Sequence, residues 1–445
     1  MSMFSGLQDM IRDKVIPMAA RIGEEAHVDA MKSGLMAITP LTILGGVALI
    51  LAQPPIPANI MEATNPFFAF LLQWKTWAAV KVDLLMLPFN ISMGLLGVFT
   101  VICVTHFMCK KYKMNELSGV ITALLTFLCV TVTTVIPDPT KPYTMHMDMT
   151  YLDAKGMFLA IIVGLSTVEI TRLLNRKGIK ITMPPTVPPM VAAPFEAMIS
   201  LFINVFSFMF LNELFLNVLD MNLAQAVMAI FMPLVSASDS LWGILLIMFL
   251  LNGLWFFGIH GGATIGGIAT PFFLANFAVN SQAASAGEPL PHILAGGFRM
   301  FFCNFGGSGA ALALIIAIYF VAKSTHMKSV FKVGIIPAIF NVSEPIVFSL
   351  PIILNLFMVI PMVFLPMLNG AISFMAFDWN LVGRTYINVP ITTPGPIGAF
   401  LSTMDWRAVL LWLGLMVFDV LCYIPFVRAY DKVLLKKENE ESSNE

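Results

Sequence analysis

Residues 34–53 read GLMAITPLTILGGVALILAQ, twenty consecutive residues without a single Asp, Glu, Lys or Arg. A helix crossing a bilayer needs about 20 predominantly apolar residues, so this run predicts a transmembrane span. Further apolar runs lie at roughly 84–108, 118–137, 157–174, 197–219, 241–259, 309–322, 351–377 and 406–427. Three other stretches, 261–307, 334–350 and 388–404, are apolar but broken by Gly, Pro and Asn. Irregular backbone at membrane depth is tolerated only inside protein or beside a water-filled cavity. These stretches therefore predict re-entrant hairpins or discontinuous helices that line a binding site.

The composition agrees. Of 445 residues, 58% are apolar and only 11% are Asp, Glu, Lys or Arg, against about 25% charged in a soluble domain. Such a chain cannot cover a soluble surface, which excludes a soluble enzyme, a disordered chain and a secreted disulfide scaffold. The net charge of −1 comes with no basic patch for nucleic acid. The five cysteines form no CxxC pair and read as free thiols. His106 and Cys109 lack the further ligands a zinc site requires, so neither a metal nor a cofactor is expected. No cleavable signal is evident: residues 1–33 are charged and amphipathic ahead of the first span.

Basic residues set the orientation. Eighteen of the 25 Lys and Arg fall before the first span, after the second and fourth, after the 309–322 run, and at the end of the chain. Those ends are expected in the cytoplasm, both termini included, with 138–156 outside. Residues 34–220 read as ordinary spans with charged loops. Residues 221–432 hold the broken stretches and most of the polar residues within apolar sequence, and 433–445 read as a solvated tail. The five prolines of 181–194 predict an extended connector.

Polar groups inside a membrane are functional candidates by default, and three clusters qualify. In Trp255-Phe-Phe-Gly-Ile-His260-Gly261-Gly262, an aromatic ring and an imidazole suit a sugar's apolar face and hydroxyl edge, and the glycines let backbone approach a ligand. An interfacial Trp with a capping His accounts for the same residues. In Asn341-Val-Ser343-Glu344-Pro345, a carboxylate lies among apolar neighbours and needs hydrogen-bond donors, which a polyol would supply. A carboxylate holding a helix break is the structural alternative. The third cluster, Asn388-Val-Pro-Ile391-Thr392-Thr393-Pro-Gly-Pro396, is proline-locked and hydroxyl-lined. It leads to Asp405-Trp-Arg407, which reads as a structural pair. Gly306-Gly307-Ser308-Gly309 offers backbone donors for an anion, although close helix packing is the favoured role. No nucleotide-binding loop is present, so energy must come from elsewhere.

These motifs carry a resemblance. GIHG at 258–261, NVSEP at 341–345, VPxTTP at 389–394 and DWRA at 405–408 resemble the enzyme IIC permeases of the bacterial phosphoenolpyruvate-dependent sugar phosphotransferase system, in the lactose/cellobiose/diacetylchitobiose family. So do Arg21-Ile-Gly with Pro40-Leu-Thr-Ile-Leu-Gly45, and the connector Met183-Pro with Val187-Pro-Pro. The resemblance spans about residues 12–432. It implies an all-α polytopic membrane protein with about ten transmembrane helices and re-entrant hairpins, working as a homodimeric elevator-type transporter. The N-terminal half would build the dimer interface and the C-terminal half would carry the sugar. It implies translocation of a β-linked disaccharide, whose 6-hydroxyl is then phosphorylated by a separate phosphocysteine-bearing IIB subunit served by IIA. Carried over, His260 is the family's sugar-binding His, Glu344 its Glu and Trp255 the ring that can stack on a sugar; from the clusters themselves, Glu344 and His260 are expected as the catalytic pair and Gly261, Asn341, Ser343, Thr392 and Thr393 as further sugar contacts. One departure is Ile391, where the family commonly has Trp. The chain ends soon after the last span, so IIA and IIB are expected to be separate proteins. An ion- or proton-coupled secondary sugar transporter, with Glu344 binding the coupling ion, is the alternative from another class. A membrane sensor that binds sugar without moving it is a third.

Overall fold

The computed structural model describes residues 25–54, 66–135, 146–184, 186–257, 260–350 and 355–442. Apart from a two-residue ribbon that pairs Thr134–Val135 with His146–Met147, its regular elements are helical. The chain packs as two units, one of Glu24–Ser236 with Thr270–Ala278, the other built from Ala237–Ala269 and Val279–Glu445.

The first unit contains α1 (Ala26–Ala37), α2 (Thr39–Ala52), α3 (Pro66–Val80), α4 (Val82–Gly94), α5 (Leu96–Lys111), α6 (Glu116–Thr131), α7 (Met157–Arg176), α8 (Pro189–Leu219) and most of α9 (Leu223–Ser238). The central helix is α5, against which α1, α6 and α7 pack. Small residues permit the approach: a Cβ at Gly34 would lie 2.8 Å from the Val104 backbone, and one at Gly164 would lie 2.9 Å from Thr105 Oγ1. In a bilayer, where lipid is as apolar as Leu, such close packing is what drives helices together. Its opposite is α8, which keeps Phe202, Phe206 and Phe210 exposed at 53%, 61% and 72%.

The second unit holds α10 (Leu241–Gly253), a 3-10 turn at Leu254–Phe257, α11 (Gly261–Thr264), most of α12 (Gly266–Ala286), α13 (Phe298–Phe302), α14 (Ala311–Val321), α15 (Thr325–Ile339), α16 (Glu344–Ser349), α17 (Leu356–Asp378), α18 (Gly395–Thr403) and α19 (Arg407–Ser442). Its core is aromatic: Phe377 meets Phe298 and Phe302 edge-on at 5.2 and 4.9 Å, and Phe305 meets Trp412 at 5.3 Å.

Among the described residues, five helices are long and apolar enough to cross a membrane, and seven if each bent pair counts as one span. The 84–108 run is one of those pairs: α4 and α5 meet at a 48° bend. Two more of the expected spans, Glu116–Thr131 and Ala311–Val321, are shorter apolar helices. Helices α3 and α9 were not expected, and the broken stretch 261–307 includes the 21-residue α12. The tail expected to be solvated begins inside α19, where Glu438 accepts from the N–H groups of Thr325 and His326 and so caps α15. Residues 1–24, 138–145, 258–259 and 443–445, on which parts of the sequence expectations rest, lie outside the described residues.

Candidate functional site

The site assembles where four interrupted segments of the second unit meet. The first is the end of α10. After the 3-10 turn, the chain doubles back so closely that a Cβ on Gly261 would overlap the Leu251 carbonyl. Only glycine fits there, and this reversal places His260. The second is the end of α15. Asn341 adopts a left-handed φ of 61°, a conformation that only Gly and occasionally Asn or Asp visit routinely, and it turns the chain into the six-residue α16, which begins with Glu344.

This turn brings Glu344 to His260 across 84 residues of sequence: Oε1 lies 3.2 Å from His260 Nε2. Both side chains stay accessible, at 43% and 45%. The pair the sequence put forward from two separate motifs is therefore one constellation. It presents a carboxylate and an imidazole side by side, able to accept and donate to adjacent hydroxyls.

Behind it lies Trp255. Its ring centroid is 4.6 Å from that of His260 at a 50° tilt, and Phe348 lies edge-on at 6.1 Å. The indole is 2% exposed, and its N–H, also buried, finds no acceptor among the described residues. In this conformation the ring supports the imidazole and offers no open face for stacking.

The third and fourth segments are tied in by Asn341 and Ser343. Asn341 Nδ2 donates to the carbonyls of Ile391 and Thr393, each at 2.8 Å, and its Oδ1 accepts from Gly306 N–H at 3.1 Å. Ser343 Oγ accepts from Ser308 N–H at 3.1 Å. Asn252, near the end of α10, accepts from Gly309 N–H at 2.8 Å, and the Tyr423 hydroxyl donates to the Gly309 carbonyl. The amides of Gly306, Ser308 and Gly309 are thus taken by side chains, and Gly307 N–H bonds Asn304 O. This is the packing role the sequence favoured for the run. It also means that the polar atoms of Asn341 and Ser343 serve the frame in this conformation. Thr392 and Thr393 sit on the loop that Asn341 holds, Thr392 exposed and Thr393 half-buried, and Ile391 is 58% exposed.

Sequence reasoning missed several supporting groups. Asn252 and Tyr423 were lost within apolar runs. Asp239 pairs with His292 at 2.9 Å and accepts from the N–H groups of Ile293 and Leu294. Arg384 donates to the carbonyls of Leu290 and Pro291, and Asn280 holds His292 O and Thr385 O. Together these bonds fix the segment between α12 and α13. Asp419, fully buried in α19, accepts from Asn369 at 2.7 Å. Lone polar residues within apolar runs were the available signal for all but the loop partners. Asp405 and Arg407 do pair, at 2.7 Å. Burial of Asp405 alone would raise its pKa, but hydrogen bonds from Arg407 and Gly383 N–H outweigh it and hold the carboxyl below the usual range. His106 pairs with Glu116 at 3.1 Å. Among the described residues, no cluster of three His, Cys, Asp or Glu could hold a metal.

The family model described as Phosphotransferase system, EIIC matches residues 32–366. The chain is similar to the oligo-beta-mannoside-specific EIIC component of the PTS system of Bacillus subtilis (strain 168), with 30% identity over 440 residues, 98% of this chain and 97% of that protein. It is also similar to the lactose-specific EIICB component of Lacticaseibacillus casei, with 29% identity over 96% of this chain and 71% of that protein. Among solved structures it resembles the transporter ChbC, the IIC component from the N,N'-diacetylchitobiose-specific phosphotransferase system. That match has a TM-score of 0.86 and 29% identity, covering 97% of this chain and 99% of that one.

Proposed function

This chain belongs to the phosphotransferase system EIIC family, a family of membrane permeases for sugars, and from that premise we propose that it translocates a β-linked disaccharide and presents its 6-hydroxyl for phosphorylation by a phospho-IIB subunit. The relatives named for oligo-β-mannoside, lactose and N,N'-diacetylchitobiose support the substrate class. The observation that carries the reading is the His260–Glu344 contact at 3.2 Å, with both groups accessible. Phosphoryl transfer demands mainly positioning and charge stabilisation. Glu344 accepts a hydrogen bond from the reacting hydroxyl. As the hydroxyl oxygen bonds to phosphorus and the S–P bond of the IIB phosphocysteine breaks, the hydroxyl proton passes to the carboxylate. His260 holds the carboxylate in place and bonds a neighbouring hydroxyl. Trp255 acts through His260, Asn341 through the loop that carries Thr392 and Thr393, and Ser343 through the Gly306–Gly309 turn. Gly261 permits the close chain reversal that places His260 at the site.

The IIA and IIB components act in the cytoplasm, and the basic ends of the spans face them. Labelling of a Lys177→Cys variant from outside intact cells by an impermeant reagent would contradict that orientation. The protein works as a homodimer through its first unit, a reading supported by the uncovered Phe202, Phe206 and Phe210 of α8. A monomeric mass in a lipid nanodisc would refute it. An ion-coupled transporter is the alternative. Membrane vesicles separate the two: group translocation requires the soluble phosphotransfer proteins and yields sugar 6-phosphate, whereas ion coupling responds to an ion gradient and yields free sugar.

A further inference from the structure

The first unit carries a polar cleft that the sugar site does not use. A cavity of about 250 Å³ opens between the α5–α6 turn, α7 and α8, with Asn115, Ser118, Thr122, Thr171, Asn175 and Ser200 in its wall. It shares Lys113, Met114 and Asn175 with a second hollow of about 480 Å³ that is rimmed by Lys111, Arg172 and Arg176. The two form one cleft, hydroxyl-lined inside and cationic at its mouth.

The hydrogen bonds say what the inner wall offers. Thr122 and Ser200 spend their hydroxyl protons on the carbonyls of Ser118 and Ala197, at 2.8 Å each. Thr171 Oγ1 accepts from Asn204 Nδ2 at 3.3 Å. Asn204 is fully buried beside Thr171 and Ser200, and its Oδ1 has no donor among the described residues. The inner wall therefore offers hydroxyl oxygens as acceptors beside the side-chain amides of Asn115 and Asn175, and suits a ligand that carries several hydroxyls.

At the mouth the cations divide. Lys111 is paired with Asp29 at 3.0 Å, and Arg172 with Glu169 at 3.2 Å. Inside, Glu196 is neutralised by Lys180 at 3.1 Å. Lys113 and Arg176 show no carboxylate partner among the described residues. Lys113 also holds a left-handed φ of 55°, a conformation that disfavours a side chain of its kind and that places it in the wall of both hollows.

We propose that this cleft binds a phosphate ester whose alcohol carries further hydroxyls, with the phosphate on Lys113 and Arg176 and the hydroxyls against Thr122, Thr171 and Ser200. The glycerophosphate head of an anionic lipid and a soluble polyol phosphate share this chemistry. Basic pockets between transmembrane helices take phospholipid heads elsewhere, and charge-assisted bonds from Lys and Arg to phosphate are the strong class.

The test uses the purified full chain. Glycerol 3-phosphate, a hexose 6-phosphate and inorganic phosphate are titrated calorimetrically, and phosphatidylglycerol carried through purification is counted by native mass spectrometry. Wild type is compared with Lys113→Asn, which tolerates the left-handed backbone, and with Lys113→Asn/Arg176→Gln. Melting temperature and sugar affinity, expected to be unchanged, report folding. Saturable binding of the soluble esters, weakened at least tenfold in the double variant, assigns a soluble ligand. Retained phosphatidylglycerol that the double variant loses assigns the lipid. Binding of none of these, inorganic phosphate binding as tightly as the esters, or a double variant that binds like wild type would overturn the proposal.

Discussion

Replacing Asn341 tests the frame on which the site rests. Its amide ties together the Gly306 turn and the 391–393 loop, and its backbone sits at φ 61°. In Asn341→Ala, Gly306 N–H and Thr393 O, both part-buried, lose partners. Each such bond contributes about 1 kcal/mol net, while the exposed bond to Ile391 O counts for little. Forcing Ala into the left-handed region adds about 1 kcal/mol relative to Asn. The expected loss is about 3 kcal/mol. Asn341→Gly loses the same bonds but not the backbone conformation, so its loss should be about 2 kcal/mol. Ala ordinarily stabilises a chain relative to Gly, so this order is diagnostic. Melting temperatures of the purified variants should rank wild type, then Gly, then Ala. Sugar affinity should fall roughly tenfold or more in both, about 1.4 kcal/mol, as the loop bearing Thr392 and Thr393 loses its anchor. An Ala variant melting at or above the Gly variant would refute the backbone argument. Destabilised variants that bind sugar as wild type does would detach the loop from the site.

Trp255→Phe should keep the packing against His260 and Phe348 and remove an N–H that lacks an acceptor among the described residues. Equilibrium sugar binding should therefore change less than threefold, whereas Trp255→Ala opens a cavity costing about 3–5 kcal/mol; a loss of a decade or more in folded Trp255→Phe would make the indole a direct sugar contact. Asp405 titrates below its usual range in the folded protein, so it contributes stability above its unfolded pKa of about 3.9 that is lost as pH falls through the lower folded value. Melting temperature followed from pH 7 to pH 3 should drop more steeply in wild type than in Asp405→Asn, and parallel curves would place the acid sensitivity elsewhere.

The membrane architecture was legible because apolar runs announce themselves by composition alone. The misses are physical. Helix α12 carries Asn276, Asn280, Ser281 and Gln282 along its length, which masks its apolar character. Pro233 lies inside α9 and interrupts its pattern. His260 and Glu344 were visible because an imidazole and a carboxylate beside apolar sequence demand an explanation. Their proximity was not, since it depends on the reversal at Gly261 and the left-handed turn at Asn341, and no local pattern encodes a contact 84 residues apart. Asn341 and Ser343 were read as sugar contacts because a side-chain amide and a hydroxyl suit a sugar. That the Gly306–Gly309 turn would claim those atoms could be learned only from the packed backbone.

The central claim is that Glu344, held beside His260, binds and activates the sugar hydroxyl. The measurement that tests it most directly is made on one folded protein, Glu344→Gln, by following disaccharide affinity and sugar 6-phosphate formation with phosphorylated IIB supplied. Gln keeps the shape and one acceptor oxygen but cannot take a proton. Binding should persist within about tenfold while phosphorylation falls by at least two orders of magnitude, the lower range for a positioned general base. Phosphorylation at the wild-type rate would contradict the account and leave Glu344 a structural carboxylate at a helix break.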